Sequence, residues 1–308
     1  MGTISRTLLA ALLLFVLLGS AKVMLEHHLA PRTSGIQGEL SGPRPEIVLV
    51  GSSHTRQGYD VAALEKITGL RSFVVAYDGL DPANMVPLVR AVLRQAGKRP
   101  KFLVVDAYCA TFAREPEIED PRLFFDAPPE MKKEIAEAYL RTHKGEEAWL
   151  DLWTLATNKG SELILTFPLV SRTLNGLSYH GGYTGKTVSG VEPERFAGLH
   201  LPLSGSVLRE EQAAALSTIR SLANEAQVRL LLADAPMPGP VESQPEVIAM
   251  QRQVRELAGR LEIPLFEGAN GFPVGDPALF HDSNHLSTAG REMYTEQFGK
   301  ALLQLAAR

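Results

Sequence analysis

The feature that most constrains this chain is an alternation. Short continuous apolar runs, EIVLV (46–50), SFVVAY (72–77), FLVVDAY (102–108) and VRLLLADAP (228–236), are separated by segments of helical period: DVAALEKITG, PANMVPLVRAVLRQAG, EEQAAALSTIRSLANEAQ and EVIAMQRQVRELAGRLE. A run that is apolar at every position has no polar face to give to water. It must be covered on both sides, and connections of helical length favour parallel strands. The pattern predicts a doubly wound α/β domain, flavodoxin-like in its three layers, closed by a short strand in IPLFEG and a last helix from about Thr288.

Before the alternation begins, Arg6 precedes LLAALLLFVLLGSA, an apolar stretch that continues past Lys22 into VML. Residues 1–25 read as a membrane anchor, with Lys22 snorkelling outward, or as a signal peptide with Gly19 and Ala21 near a cleavage site. Both imply export, placing the domain in the periplasm or outside the cell. Residues 26–45 are rich in Pro, Gly and Ser without periodicity and read as a linker, so the domain spans 46–308. Between about 110 and 208 the alternation breaks. This segment is expected to be an insertion over the open end of the sheet, holding the amphipathic piece PEMKKEIAEAYLRTHKGEEAWLDLWTLA and the Gly- and Tyr-rich LNGLSYHGGYTGKTVSG. GGYTGKT is not a phosphate loop, because the position that needs glycine is His180 and no strand leads into it.

Composition narrows the function classes. The net charge of −4 and the lack of a Lys/Arg cluster exclude a partner held mainly by phosphate contacts, so nucleic acid is not expected. The single cysteine, Cys109, closes no internal disulfide and reads as a small buried residue.

In α/β sheets the ligand crevice lies outside the carboxyl ends of the strands. There, directly after the first apolar run, stands GSSH (51–54). It is either an ordinary turn and helix cap or a support for a serine nucleophile, with backbone N–H groups at the helix start available to an oxyanion. A serine needs a base, and the base an orienting acid. Near the C-terminus, FHDSNHLSTAG supplies Asp282 and His285, three apart, with Ser287 or Thr288 capping the last helix. His281 and His285 also carry zinc-motif spacing, but their surroundings disfavour a helix, and no metal or other cofactor is expected.

VLVGSSHTRQG and HDSNHLSTAG resemble the first and last blocks of the SGNH/GDSL hydrolase superfamily. The resemblance implies Ser53 as nucleophile, Asp282 as orienting acid and His285 as base, with the Gly79 N–H, after the second strand, as an oxyanion donor. Two departures stand out. Ser52 occupies the usual Asp position, and VVDAYCA lacks the Gly-x-Asn that supplies a side-chain donor; Asn84 or Tyr108 is the expected substitute. The GSS variant with an N-terminal span further resembles a membrane-anchored subgroup that works beside multispan membrane-bound O-acyltransferases, such as D-alanyl transfer and alginate acetylation proteins. That likeness implies an O-acyltransferase or esterase acting on acyl, chiefly acetyl, esters of a cell-surface polysaccharide. The alternative is a non-catalytic protein binding a glycan or partner on the same scaffold.

Other residues carry two readings. Ser52, His54 and Arg56 beside the nucleophile are placed to hold a substrate group, or simply to start a helix. Trp149 with Trp153, and Tyr179 with Tyr183, are a sugar platform or the packing of the insertion. Asp106 and Asp234 close their strands as crevice residues or caps.

Overall fold

The computed structural model describes residues 44–94, 99–120, 122–157, 187–203 and 205–306, with isolated positions before 44. Five strands form one parallel sheet: β1 (Ile47–Gly51), β2 (Ser72–Ala76), β3 (Phe102–Asp106), β4 (Arg229–Asp234) and β5 (Leu265–Glu267), in the order β2-β1-β3-β4-β5. This is the doubly wound fold that the alternation predicts. The chain leaves β1 toward one edge and returns for β3 on its other side, so the carboxyl end of β1 sits at the point where the strand order reverses.

Each strand divides its side chains between two cores. Val48, Val50, Val75, Leu103, Val105, Leu230 and Leu232 face one side, where α3 (Pro82–Arg94), α9 (Glu210–Glu225) and α11 (Pro245–Arg260) cover them. Ile47, Leu49, Val74, Ala76, Val104, Leu231 and Ala233 face the other, under α2 (Val61–Thr68) and α12 (Thr288–Ala306). Period-two alternation inside runs apolar at every position is what a sheet buried on both faces requires. Most of the buried apolar area, and with it most of the stabilisation, lies in these two layers.

Helix starts are set by short polar side chains. Asp60 accepts from the Ala63 N–H at 3.0 Å to cap α2, and Ser287 accepts from the Gly290 N–H at 3.2 Å to cap α12. Short helices escape the periodicity, among them α1 (Ser53–Gly58), directly after β1, and α4 (Cys109–Phe112), after β3. Neither is long enough to show a 3.6-residue pattern.

The insertion departs in part from expectation. Its amphipathic piece is two helices, α6 (Pro129–Thr142) and α7 (Glu146–Thr157), broken where Gly145 takes φ 104°. Rather than lying over the open end of the sheet, α6 packs beside α3 in the helical layer: Met131 and Ile135 enter the first core, and Arg90 pairs with Glu134. Farther on, residues 188–191 do reach the crevice side. Val188 exchanges hydrogen bonds with Thr288 at 2.8 and 3.0 Å, and the Val191 N–H reaches Phe280 O at 2.8 Å. The Gly- and Tyr-rich stretch through Lys186, with Tyr179 and Tyr183, lies outside the described residues, as does the Trp153 side chain; Trp149 is exposed. Most of residues 1–25 also lie outside them, and among the described residues no helix is long and apolar enough to cross a membrane.

Candidate active site

The site is assembled at the carboxyl end of the sheet from segments more than 200 residues apart. The backbone turns sharply between β1 and α1. Ser52 takes an extended conformation as N-cap and Ser53 becomes the first helical residue, so its side chain projects outward beyond the strand end. From the opposite direction comes the bend 281–285 ahead of α12. The Ser53 hydroxyl lies 2.9 Å from His285 Nε2, and His285 Nδ1 lies 2.9 Å from Asp282 Oδ2.

The acid is held by its own loop. Asp282 Oδ1 accepts from the N–H groups of Asn284 and His285, each at 2.9 Å, which closes a compact turn. Burial alone would raise the Asp282 carboxyl, but the His285 ring and these backbone donors outweigh it and hold the group below the ordinary carboxylate range. A fixed carboxylate keeps Nδ1 protonated and leaves Nε2 to accept from Ser53. The turn is itself anchored: the His281 N–H donates to His285 O at 2.8 Å, and Phe280 bridges to Leu286.

Gly79 sits on the loop after β2 with φ +61°, a left-handed conformation that suits glycine. That loop is tied to the nucleophile's side of the site, since Asp78 pairs with Arg56 on α1 and the Tyr77 N–H donates to Gly51 O at 3.2 Å. Gly79 therefore lies on a loop fastened both to α1 and to the end of β1.

The remaining expected site residues are placed differently. Ser52 is turned inward with 1% exposure; its hydroxyl donates to Asp106 Oδ2 at 2.7 Å, which leaves it no role in holding substrate. His54 is buried, not exposed on the helix start. Its ring stacks on Tyr108 with centroids 4.4 Å apart, and Nδ1 stands 3.5 Å from Asp106 Oδ1. Asn84 is no oxyanion donor, because its amide is consumed by Asp81 Oδ2 at 3.1 Å and Glu117 O at 2.9 Å. Tyr108 is buried; burial raises its hydroxyl above the ordinary phenol range, and the Asn284 side chain opposes the shift through a hydrogen bond. Asp234 is also driven above the carboxylate range by burial, then by Glu242 and Asp106, and its Oδ1 is buried without a hydrogen-bond partner. Cys109 is fully buried, and its thiol is raised by that burial.

Two partnerships carry no signal in the sequence, although Asp106 itself reads there as a crevice residue or a cap. Asp106 is the partner of the GSS turn, and Asn284 is a carboxamide carried inside the acid–base loop next to Tyr108. Asp106 stands at the end of β3, and its carboxylate only accepts.

Neither a family model nor a curated protein matches the chain. Several solved structures do. A protein ascribed to the lipolytic G-D-S-L family from Desulfitobacterium hafniense DCB-2 is 10% identical, with coverage of 82% of this chain and 97% of its own and a TM-score of 0.41. For the acetyl xylan esterase AlAXEase the values are 11%, 83%, 99% and 0.39. For a GDSL-like lipase from Bacteroides thetaiotaomicron VPI-5482 they are 9%, 87%, 95% and 0.40. With TM-scores this low, the chemistry of the site rests on its own geometry.

Proposed function

We propose that this protein is a serine-dependent esterase or O-acyltransferase of SGNH/GDSL type that works through an acyl-Ser53 intermediate. The observation that carries the reading is the continuous line of hydrogen bonds from Ser53 through His285 to Asp282. His285 Nε2 takes the hydroxyl proton as Ser53 Oγ attacks the ester carbonyl, while Asp282 stabilises the imidazolium through Nδ1–H. The Ser53 and Gly79 N–H groups receive the oxyanion. Collapse returns the proton to the departing alkoxide and leaves the acyl group on Ser53. A second hydroxyl, from water or an acceptor sugar, then gives its proton to His285 and attacks in turn, releasing Ser53 with its own proton restored.

With only backbone donors identified, hydrolysis should be slow, since each missing oxyanion donor costs on the order of 100-fold or more in rate. An acceptor bound beside the acyl-enzyme would gain more from proximity than dilute water does. The acceptor class we favour is an exported polysaccharide, with acetyl as the acyl group and a multispan membrane-bound acyltransferase as the upstream donor partner. This choice is supported by the GSS turn and the apolar N-terminal stretch. Incubating the protein with an aryl acetate and a panel of exported-polymer oligosaccharides should yield acetylated sugar by mass spectrometry, with turnover faster than in water alone. Brisk hydrolysis and no acetylated sugar would reduce the function to a plain esterase.

Export belongs to the same proposal and is supported by the apolar stretch after Arg6. A C-terminal fusion to alkaline phosphatase, which folds only after export, should be active in cells. Activity of a cytoplasm-only reporter instead would remove the envelope assignment.

A second reading is favoured by one observation: the Asn84 amide, expected to stand in for the missing side-chain oxyanion donor, is committed to Asp81 and the Glu117 carbonyl. On that reading the protein binds a glycan or partner without turnover. It predicts sugar binding with no acyl release in the same incubation.

A further inference from the structure

We infer that Asp106 is a positioning residue whose carboxylate grips the turn between β1 and α1 and so aims Ser53 at His285. The inference rests on the reading of Ser53 as nucleophile and extends it to a residue 53 positions away. Asp106 ends β3, the strand beside β1, and is almost fully buried. Its Oδ2 accepts from both the Ser52 N–H at 3.1 Å and the Ser52 hydroxyl at 2.7 Å, and its Oδ1 accepts from the Tyr108 N–H at 3.1 Å. The Ser52 oxygen that donates to Asp106 accepts in turn from the His54 N–H at 3.2 Å, which is the cap of α1. The two residues on either side of Ser53 are thus tied to one carboxylate, directly or through one hydroxyl. Ser53 itself is left with its hydroxyl on His285.

The charge state fits this task. Burial would raise the Asp106 carboxyl, but His54 and the two Ser52 donors together hold it below the ordinary range, so it stays an acceptor at every lone pair the turn uses. An amide cannot replace it. Asparagine would set N–H hydrogens against either the Ser52 donors or the Tyr108 N–H, and one anchor would be lost whichever way the group turned. The approach is close as well: a Cβ on Gly51 would stand 2.5 Å from Asp106 Cβ, so the glycine of the GSS turn is the space through which the carboxylate reaches Ser52.

A misaimed nucleophile loses rate without losing substrate affinity, and this separates positioning from mere support of the fold. In the full chain, Asp106→Asn should lower kcat for an aryl acetate about 10- to 100-fold with KM changed less than about two-fold, and should slow fluorophosphonate labelling of Ser53 by a similar factor. Ser52→Ala removes the hydroxyl and spares the backbone bond. It should lower both by a smaller factor, and the double variant should be no slower than Asp106→Asn alone, because the two residues act through one contact. Should Asp106→Asn not fold, Ser52→Ala decides the matter. Wild-type kcat and labelling in folded variants, with only the melting temperature lowered, would overturn the inference and leave the nucleophile assignment standing. Failure of the wild-type protein to label at Ser53 would overturn the esterase reading, and the inference with it.

Discussion

Replacing Ser53 with Ala is expected to abolish covalent labelling by a fluorophosphonate and to lower esterase turnover by about 10⁶-fold, the scale of loss when a comparable triad is deprived of its nucleophile. His285→Ala should be nearly as severe. Without Nε2 the hydroxyl loses its base, and among the described residues no other side chain hydrogen-bonds Ser53 Oγ. The double variant should be no worse than either single one, because the two residues perform one step together. Asp282→Asn is expected to fall short of these, at about 10⁴-fold: the base survives, but an amide in place of the acceptor at 2.9 Å favours the wrong tautomer of His285. Ser52→Ala must behave differently from Ser53→Ala, since the Ser52 hydroxyl faces Asp106 and not the crevice. The measurement is the rate of active-site labelling, with mass spectrometry locating the modified serine. Equal labelling of wild-type and Ser53→Ala protein would refute the assignment, and a modified Ser52 would point to the other serine of the turn.

Much of this arrangement was legible in the sequence because it is carried by local patterns. Runs such as IVLVG and FLVVD must be strands buried on both faces, and the amphipathic segments between them force the parallel connection. Once the sheet is parallel, its carboxyl end is the site, and GSSH and HDSNH fall there without further information. What the sequence could not show is which polar groups choose each other across the fold. Asn84 illustrates this: Asp81, three residues earlier, and the Glu117 carbonyl on a distant loop claim its amide. Asp81 and Asn84 at a helix start are a capping pair by spacing, a local signal that would have argued against a free amide. The Asp106–Ser52 bond joins residues 54 apart and has no periodic trace. The α6 helix was visible as amphipathic, but its pattern could not say whether its apolar stripe would cover the crevice or a neighbouring helix; Met131 and Ile135 settle on the core beside α3.

The glycine that opens the turn is closely packed, and Gly51→Ala is expected to damage both stability and catalysis. A Cβ there would stand 2.0 Å from Thr55 Oγ1, 2.8 Å from Thr55 Cβ and 2.5 Å from Asp106 Cβ. Neither neighbour has room to move. Thr55 is buried on the first turn of α1, and Asp106 is fixed by the Ser52 and Tyr108 donors in the middle of the sheet. Atoms cannot approach to 2 Å, so either α1 lifts away from β1 or the strand ends separate. Overpacking of this kind costs roughly 1–3 kcal/mol, and a site pinned on two sides belongs at the upper end of that range. If α1 lifts, Ser53 moves with it, and a displacement near 1 Å from His285 costs about 100-fold in rate. Thermal unfolding and kcat measured on the same preparation should therefore fall together. A folded Gly51→Ala protein with wild-type kcat would mean that the turn yields elsewhere without shifting Ser53, and that the close contact between β1, α1 and Asp106 is not what holds the nucleophile in register with its base.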